Sequence, residues 1–389
     1  MTIYFVAGEV SADNHGAALM RSLRVSDPEL KFVGRGGPQM QQVAGPQFKN
    51  WIRDAAVLGL WEVLRRYGYF REQFRQTLNE IQESKPDAVV LIDYPGFNLR
   101  LARALRRQSQ RHKTIYYISP QVWAWQRGRI KKMARFIDLV LCILPFETDL
   151  YAASGLRAVF VGHPMIERLE THKNDTQRDP NLIGLFPGSR LREVRKIFPV
   201  MLEAARLLLA AKPYLRFQVA AASEEFAREM REQLAKHPSI EITVGKTAEI
   251  MQRGFVGIVA SGSATLEAAY FRMPFVLIYK VAWPTYIAAR LVVNVDYLGM
   301  PNLLAGKEVV PEFIQHEAKP EPIVKAVRAL MENANASDRM ISEFDAVISK
   351  LGDSGANERA AQAILQELKE RRSPDRLGGV ETTASSRKR

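Results

Sequence analysis

Short runs that are apolar throughout, each followed by a helical pattern, recur along almost the whole chain. "IYFVAG", "KFVGRGG", "DAVVLIDYP", "TIYYISP", "LVLCILP" and "AVFVGHP" fill the first part. A strand that faces water on one side alternates apolar and polar residues, whereas a strand apolar throughout is covered on both faces. Strands of the second kind, separated by helices, predict a parallel sheet with helices on either side. "THKNDTQRDPN", residues 171–181, is polar and turn-rich and reads as a linker. The pattern then restarts with "LIGLFPGSR", "RFQVAAA", "IEITVG", "FVGIVAS" and "PFVLIYK". At 389 residues the chain also exceeds what one core usually serves. The expected class is α/β, with two doubly wound, Rossmann-like parallel-sheet domains in tandem. Their expected bounds are 1–170 and 182–345, followed by a helical segment 346–372 and a basic, disordered tail 373–389. In the helical segment, Ala360, Ala361, Ile364, Leu365 and Leu368 share one face.

Several classes drop out early. Cys142 is the single cysteine, which excludes an intrachain disulfide. "MTIYFVAGEVSAD" has neither the basic start nor the long apolar core of a secretory signal. No apolar run approaches the roughly 18 residues of a transmembrane helix. A cytoplasmic location is expected. The net charge of +13 is concentrated. Between Asp93 and Asp138 lie eleven Lys or Arg residues and no acid, among them Arg127, Arg129, Lys131, Lys132 and Arg135. Such a field draws anions: nucleic acid, acidic lipid or phosphorylated substrates.

In open α/β sheets, ligands bind beyond the carboxyl ends of the strands. The first strand leads into "AGEVSADNHG", which offers Glu9, Ser11 and Asp13 at a helix start, for hydroxyl or phosphate contacts or for a simple helix cap. Asp93 directly follows the buried run Val89–Ile92. A carboxylate there is a candidate general base with a burial-raised pKa, or else a turn residue before Pro95-Gly96. In the second domain, "FPGSR" puts a tight turn and Ser189–Arg190 before a helix, a geometry suited to a diphosphate. "ASGSATLEAA" adds the small residues Gly262 and Ser263, then Glu267, able to take vicinal hydroxyls. The turns are not GxGxxG and lack the Lys-Ser/Thr of a P-loop, so neither nicotinamide nor ATP chemistry is indicated. The six histidines show no metal-ligand spacing. No cofactor and no metal are expected.

The order of these motifs resembles the lipid-A-disaccharide synthases. "AGEVSAD", "FVGRGGPQM", "LIDYPGFNLRLA", "YYISPQVWAW", "LFPGSR", "ASGSATLEAA" and "DYLGMPNLLAGKEVVPEFIQ" carry the likeness, from about Ile3 to Leu368. The resemblance implies a GT-B fold, two such domains facing a cleft, and an inverting glycosyltransferase. It implies transfer of 2,3-diacylglucosamine from UDP-2,3-diacylglucosamine to 2,3-diacylglucosamine 1-phosphate (lipid X), with a β-1,6 bond formed and UDP released. Asp93 then carries over as the catalytic carboxylate, and Asn302 and Gln315 as donor-side residues beside Ser189, Arg190, Gly262, Ser263 and Glu267. Two positions depart from the family pattern: Ala12 replaces a glycine, and Gly96 replaces a second aspartate.

Both implied substrates live in a membrane. In "VLGLWEVLRRYGYF", residues 57–70, Val57, Leu60, Trp61 and Leu64 fall at helical spacing with Arg65 and Arg66 beside them. That pattern fits an interfacial helix on an anionic inner-membrane surface, or an ordinary core helix. Trp123 and Trp125, next to Arg127 and Arg129, are packing residues or acyl-chain contacts; the cations suit the acceptor phosphate and the bilayer. The protein is expected at the cytoplasmic face of the membrane, and a homodimer stays open. Two rivals remain: an isomerase of the UDP-N-acetylglucosamine 2-epimerase kind, and a nucleic-acid binder, against which stands the absence of any such motif.

Overall fold

The computed structural model describes residues 1–52, 67–108, 112–120, 128–234, 240–283, 286–287, 290 and 295–372. They form two compact units. One comprises Met1–Pro120, Gly128–Val161 and the chain from Asn357; the other comprises Gly162–Ala356.

The first unit is built on seven strands: β1 (Thr2–Ala7), β2 (Lys31–Gly36), β3 (Lys49–Asn50), β4 (Ala88–Ile92), β5 (Lys113–Tyr117), β6 (Leu139–Cys142) and β7 (Ala158–Phe160). They lie in the order β3-β2-β1-β4-β5-β6-β7, and each neighbouring pair is parallel. Every residue of β4 is buried, as an apolar run demands of a central strand with helices on both faces. The second unit has six: β8 (Asp179–Phe186), β9 (Arg216–Ala221), β10 (Ile240–Val244), β11 (Gly254–Ala260), β12 (Phe275–Tyr279) and β13 (Glu312–Ile314). Their order is β10-β9-β8-β11-β12-β13, again all parallel. The α/β reading of two parallel sheets therefore holds. β8 begins inside the stretch read as a linker, and the very short β3 and β13 were not anticipated.

A buried charge docks the helix Tyr67–Ser84 onto the first sheet. Arg35 on β2 is 1% exposed. Its guanidinium donates to Glu80, Gln73 and Gln76 of that helix. Glu80 also accepts from the Tyr4 hydroxyl and from Lys49, each at 2.5 Å. Burial pushes the Glu80 carboxyl up, but these hydrogen bonds more than reverse it and leave it at about 2. A buried arginine without such partners would be costly; here its donors are met by the helix.

The helix Ala356–Arg372 was expected to stand as a separate segment after the second domain. It belongs to the first unit instead. Ala360, Ala361, Ile364 and Leu368 complete the core formed by β1, β4 and β5. Glu367, also buried, pairs with Lys113 of β5 and with Arg157 just before β7, both at 2.7 Å. The apolar stripe was legible; the sheet it covers was not, because nothing local to the helix identifies its partner. Among the described residues no helix is long and apolar enough to cross a membrane.

Leu368 is 1% exposed in a core whose strands β1, β4 and β5 all lie far earlier in sequence. Leu368→Ala should therefore cost about 2–4 kcal/mol in urea unfolding, with weakened amide-exchange protection of β1 and β4. A loss below about 0.5 kcal/mol, with that protection intact, would detach the helix from the first core.

Candidate active site

In each sheet the strand order reverses at one place, and there the loops leave in opposite directions and open a crevice. In the first unit it lies between β1 and β4, where Val6 faces Leu91 and Ala7 faces Ile92. Gly8-Glu9 and Asp93-Tyr94 follow directly. The Tyr94 ring lies against Gly8: a Cβ on Gly8 would come within 2.4 Å of it. Only glycine admits that approach.

Asp93 and Tyr94 are consecutive non-glycine residues in the left-handed region, with φ of 45° and 50°. Each such residue costs on the order of 1–3 kcal/mol and needs its surroundings to hold it. The surroundings are specific. The Asp93 N–H donates to Tyr117 O at 3.1 Å. The Asp93 carbonyl accepts from the Tyr116 hydroxyl at 2.5 Å and from Asn98 Nδ2 at 2.7 Å. Pro95 then opens the helix Pro95–Arg107, where a missing N–H is harmless. Trp51 closes one side, its Nε1 donating to Ala7 O at 2.7 Å and its ring packed edge-on to Tyr94 and Phe97.

The electrostatics follow from this enclosure. Burial, and then the neighbouring Glu9 carboxylate, push the Asp93 carboxyl up to about 6, against a partial pull downward from a hydrogen bond with the Tyr94 backbone. Burial, Glu9 and Tyr69 push the Tyr94 phenol up to about 12. A carboxylate poised near neutrality at a strand mouth is equipped to take a proton.

The other first-loop residues divide. Glu9 is half-buried and Ser11 exposed. Asp13 is buried, and its oxygens accept the N–H groups of Gly37, Gln39 and Met40, all at 2.9 Å. It was expected at the acceptor loop; its side chain is committed to the start of the helix Pro38–Ala44, the cap alternative in a long-range form. Gly96 is exposed, and a Cβ there would meet nothing within 4 Å, so the glycine is not required by packing.

In the second unit the order reverses between β8 and β11, with Leu185 facing Ile258 and Phe186 facing Val259. Pro187–Arg190 and Ser261–Ser263 follow those two strands. Gly188, at φ 104°, makes the turn, and Arg190 precedes the helix Leu191–Ala211. Its guanidinium is exposed and meets Glu193 at 3.1 Å. Tyr279, at the end of β12, feels both of these groups: burial and Glu193 raise its pKa and Arg190 lowers it. Gly262 and Ser263 are exposed at the start of the helix Ser263–Tyr270. Glu267 is paired with Arg168 at 2.7 Å.

Asn302 and Gln315 differ from the expectation that they face a donor. Asn302 is fully buried; its Oδ1 accepts from Val309 and Val310, and its Nδ2 donates to Val310 O and to Glu312. Gln315, left-handed at φ 52°, clasps both the N–H and the carbonyl of Val281. Their amides are spent within the fold, on backbone and on the Glu312 carboxylate, so they shape the loops after β12 and β13. Trp61, Leu64, Arg65, Arg66, Trp123, Trp125 and Arg127 lie outside the described residues; Arg129 is exposed on the helix Gly128–Met133.

Comparison with known proteins decides the family. The model of the family "Lipid-A-disaccharide synthetase" matches residues 3–366. The lipid-A-disaccharide synthase of Trichlorobacter lovleyi is 38% identical over 374 residues, covering 93% of this chain and 96% of its own. That of Myxococcus xanthus is 36% identical, covering 94% and 97%. The chain belongs to the lipid-A-disaccharide synthase family. It is thus a glycosyltransferase of lipid A biosynthesis, and the GT-B reading of its fold stands with it. Among solved structures, a UDP-GlcNAc 2-epimerase from Neisseria meningitidis bound to UDP-GlcNAc superposes with a TM-score of 0.61 at 11% identity, covering 95% of this chain and all of that one. An S. aureus MnaA-UDP structure gives 0.64 at 15%, covering 95% and 97%. At such identities the likeness is one of fold alone.

Sequence reading missed Tyr116, Trp51 and Tyr279, whose residue types look like ordinary core, and Asn98, which looks like ordinary helix surface.

The Asp93 shift has a sign that can be measured. Its pKa rises from 3.8 to about 6 on folding, so folding favours the protonated form. The associated stability is present below 3.8 and lost as pH rises through about 6. Asp93→Asn should therefore gain about 1–3 kcal/mol at pH 8 and progressively less toward pH 4. A variant less stable than the parent at pH 8 would show that the carboxylate is not held at a cost.

Proposed function

We propose that the enzyme transfers 2,3-diacylglucosamine from UDP-2,3-diacylglucosamine to the 6-hydroxyl of lipid X, with Asp93 as general base. The observation that carries this reading is the Asp93 carboxyl, raised to about 6 at the β1–β4 reversal. At neutral pH it is mostly ionised, yet basic enough to accept the hydroxyl proton. The acceptor oxygen bonds to the anomeric carbon as the bond to the diphosphate breaks, and the electron pair leaves with UDP. An inverting transfer requires the base and the leaving group on opposite faces of that carbon. Glu9 serves the same end through charge: a neighbouring carboxylate makes Asp93 a stronger base.

The donor reading assigns the diphosphate to the turn Pro187–Arg190 and the ribose side to Gly262, Ser263 and Glu267. Exposed backbone at a helix start, with a guanidinium beside it, suits a diphosphate. Asn302 and Gln315 contribute by fixing the loops. Residues 57–70 and the cations around Arg129 supply a peripheral contact with the anionic cytoplasmic face of the inner membrane, where both acylated sugars reside.

Asp93→Asn should keep UDP affinity and lose at least about 100-fold in turnover. In the parent, kcat/KM should climb with pH and level off above about 6, the value of the Asp93 carboxyl. Turnover of the variant within tenfold of the parent would move the role to Glu9, or to His15 in the helix Val10–Ser26 that follows β1. Arg190→Ala should weaken UDP binding by roughly 1.5–3 kcal/mol. Unchanged affinity by calorimetry, in a folded variant, returns Arg190 to being a solvated partner of Glu193.

A further inference from the structure

Resting on the assignment of Asp93 as base, we infer that Tyr116 is a positioning residue of the transfer reaction: its hydroxyl, with Asn98, locks the Asp93 carbonyl and so aims the carboxylate. Tyr116 sits on β5 beside Leu91 of β4 and is fully buried, so its hydroxyl can reach neither substrate nor solvent. It donates to Asp93 O at 2.5 Å. Asn98, equally buried and one turn into the following helix, donates to the same oxygen at 2.7 Å and to Ile92 O at 3.2 Å. The Asp93 N–H is held by Tyr117 O, the next residue along β5.

These bonds account for both polar backbone atoms of Asp93. With N–H and carbonyl fixed from β5 and the helix, the peptide planes on either side cannot rotate without breaking a buried bond. That is what a left-handed aspartate followed by a left-handed tyrosine requires, since neither residue favours the conformation alone. The left-handed turn points the side chain away from the path an extended strand would give it. Loss of the Tyr116 hydroxyl leaves the carbonyl with Asn98 as its one donor and weakens the hold on the left-handed conformation. The carboxylate would then be misplaced while the second unit's contacts to UDP stay as they are.

Tyr116→Phe removes one oxygen atom and keeps the buried ring. Steady-state kinetics with both acylated sugars should show kcat reduced about tenfold to a hundredfold, the scale of a misplaced catalytic group, with both KM values within about threefold. Near-UV circular dichroism and UDP calorimetry verify that the variant is folded. Asn98→Ala, which removes the other donor to the same oxygen, should shift kcat in the same direction. The decisive comparison is Tyr116→Phe made in the Asp93→Asn background. Acting through Asp93, it should cost nothing further there. If it costs the same factor with and without the Asp93 carboxylate, Tyr116 acts elsewhere and the inference falls. If kcat of Tyr116→Phe stays within twofold of the parent while Asp93→Asn is inactive, the base assignment survives and the positioning role does not. If Asp93→Asn itself remains active, the underlying reading fails, and this one with it.

Discussion

The parallel pairing of β1 with β4 is the constraint on which the chemistry of the first unit rests. The chain runs from β1 outward to β2 and β3, then returns across to β4 before continuing to β5. Two strand ends therefore lie side by side while their onward paths diverge, and the space between them is bounded by backbone. Neither Glu9 nor Asp93 would meet the other's field without the register that sets Ala7 against Ile92. The second unit repeats the device at β8 and β11, with turns instead of carboxylates at its mouth. In the proposed reaction, Asp93 of the first unit takes the proton and the turn before the helix Leu191–Ala211 of the second takes the diphosphate.

Placing two carboxylates together at a largely dehydrated strand mouth opposes folding. The field of Glu9 and the loss of water both favour the protonated form of Asp93, which is the same fact as its stronger basicity. The rest of the unit offsets this cost. β4 is fully buried, the late helix closes the core from the far end of the chain, and Arg35 ties the helix Tyr67–Ser84 to β2. Trp51 links that scaffold to the site: the Arg35 guanidinium lies 5.9 Å from its ring, which also packs against Tyr94 and Phe97.

Much of this was legible in sequence because parallel strands are buried on both faces and announce themselves as unbroken apolar runs. Their ends are then legible too, which is how Asp93 and Arg190 stand out. The short strand β3 carries no such signal, since two residues cannot show a period. Asp13, Asn302 and Gln315 lie where functional residues belong, and their polarity suggests ligand contact. What sequence cannot reveal is that their partners are backbone groups brought close only by folding. Asp13 reaches 24 residues ahead to Gly37, and Gln315 reaches back to Val281. Tyr116 and Asn98 were hidden for the opposite reason: a tyrosine in an apolar strand and an asparagine in a helix resemble core and surface, and nothing in either segment signals that both converge on one carbonyl.

These buried polar residues share a logic. Loop backbone at the carboxyl end of a parallel strand has lost its ladder partners, and its N–H and carbonyl groups still need hydrogen bonds once water is excluded. In this chain side chains supply them: Asp13 for Gly37–Met40 after β2, Gln315 for Val281 after β12, and Tyr116 and Asn98 for Asp93 after β4, while Asn302 does the same for Val309 and Val310 just ahead of β13. Each such bond removes a rotational freedom from a loop that must present a group at a fixed angle. Asp93 is the residue in this set whose backbone is held by others while its own carboxylate holds no distant loop in place. A side chain that supplies a loop's missing bonds cannot also be the reagent, because the reaction would have to break what positions it. Hydrogen-bond accounting at the strand ends therefore separates residues that hold loops from Asp93, the proposed base, among candidates that sequence alone had grouped together.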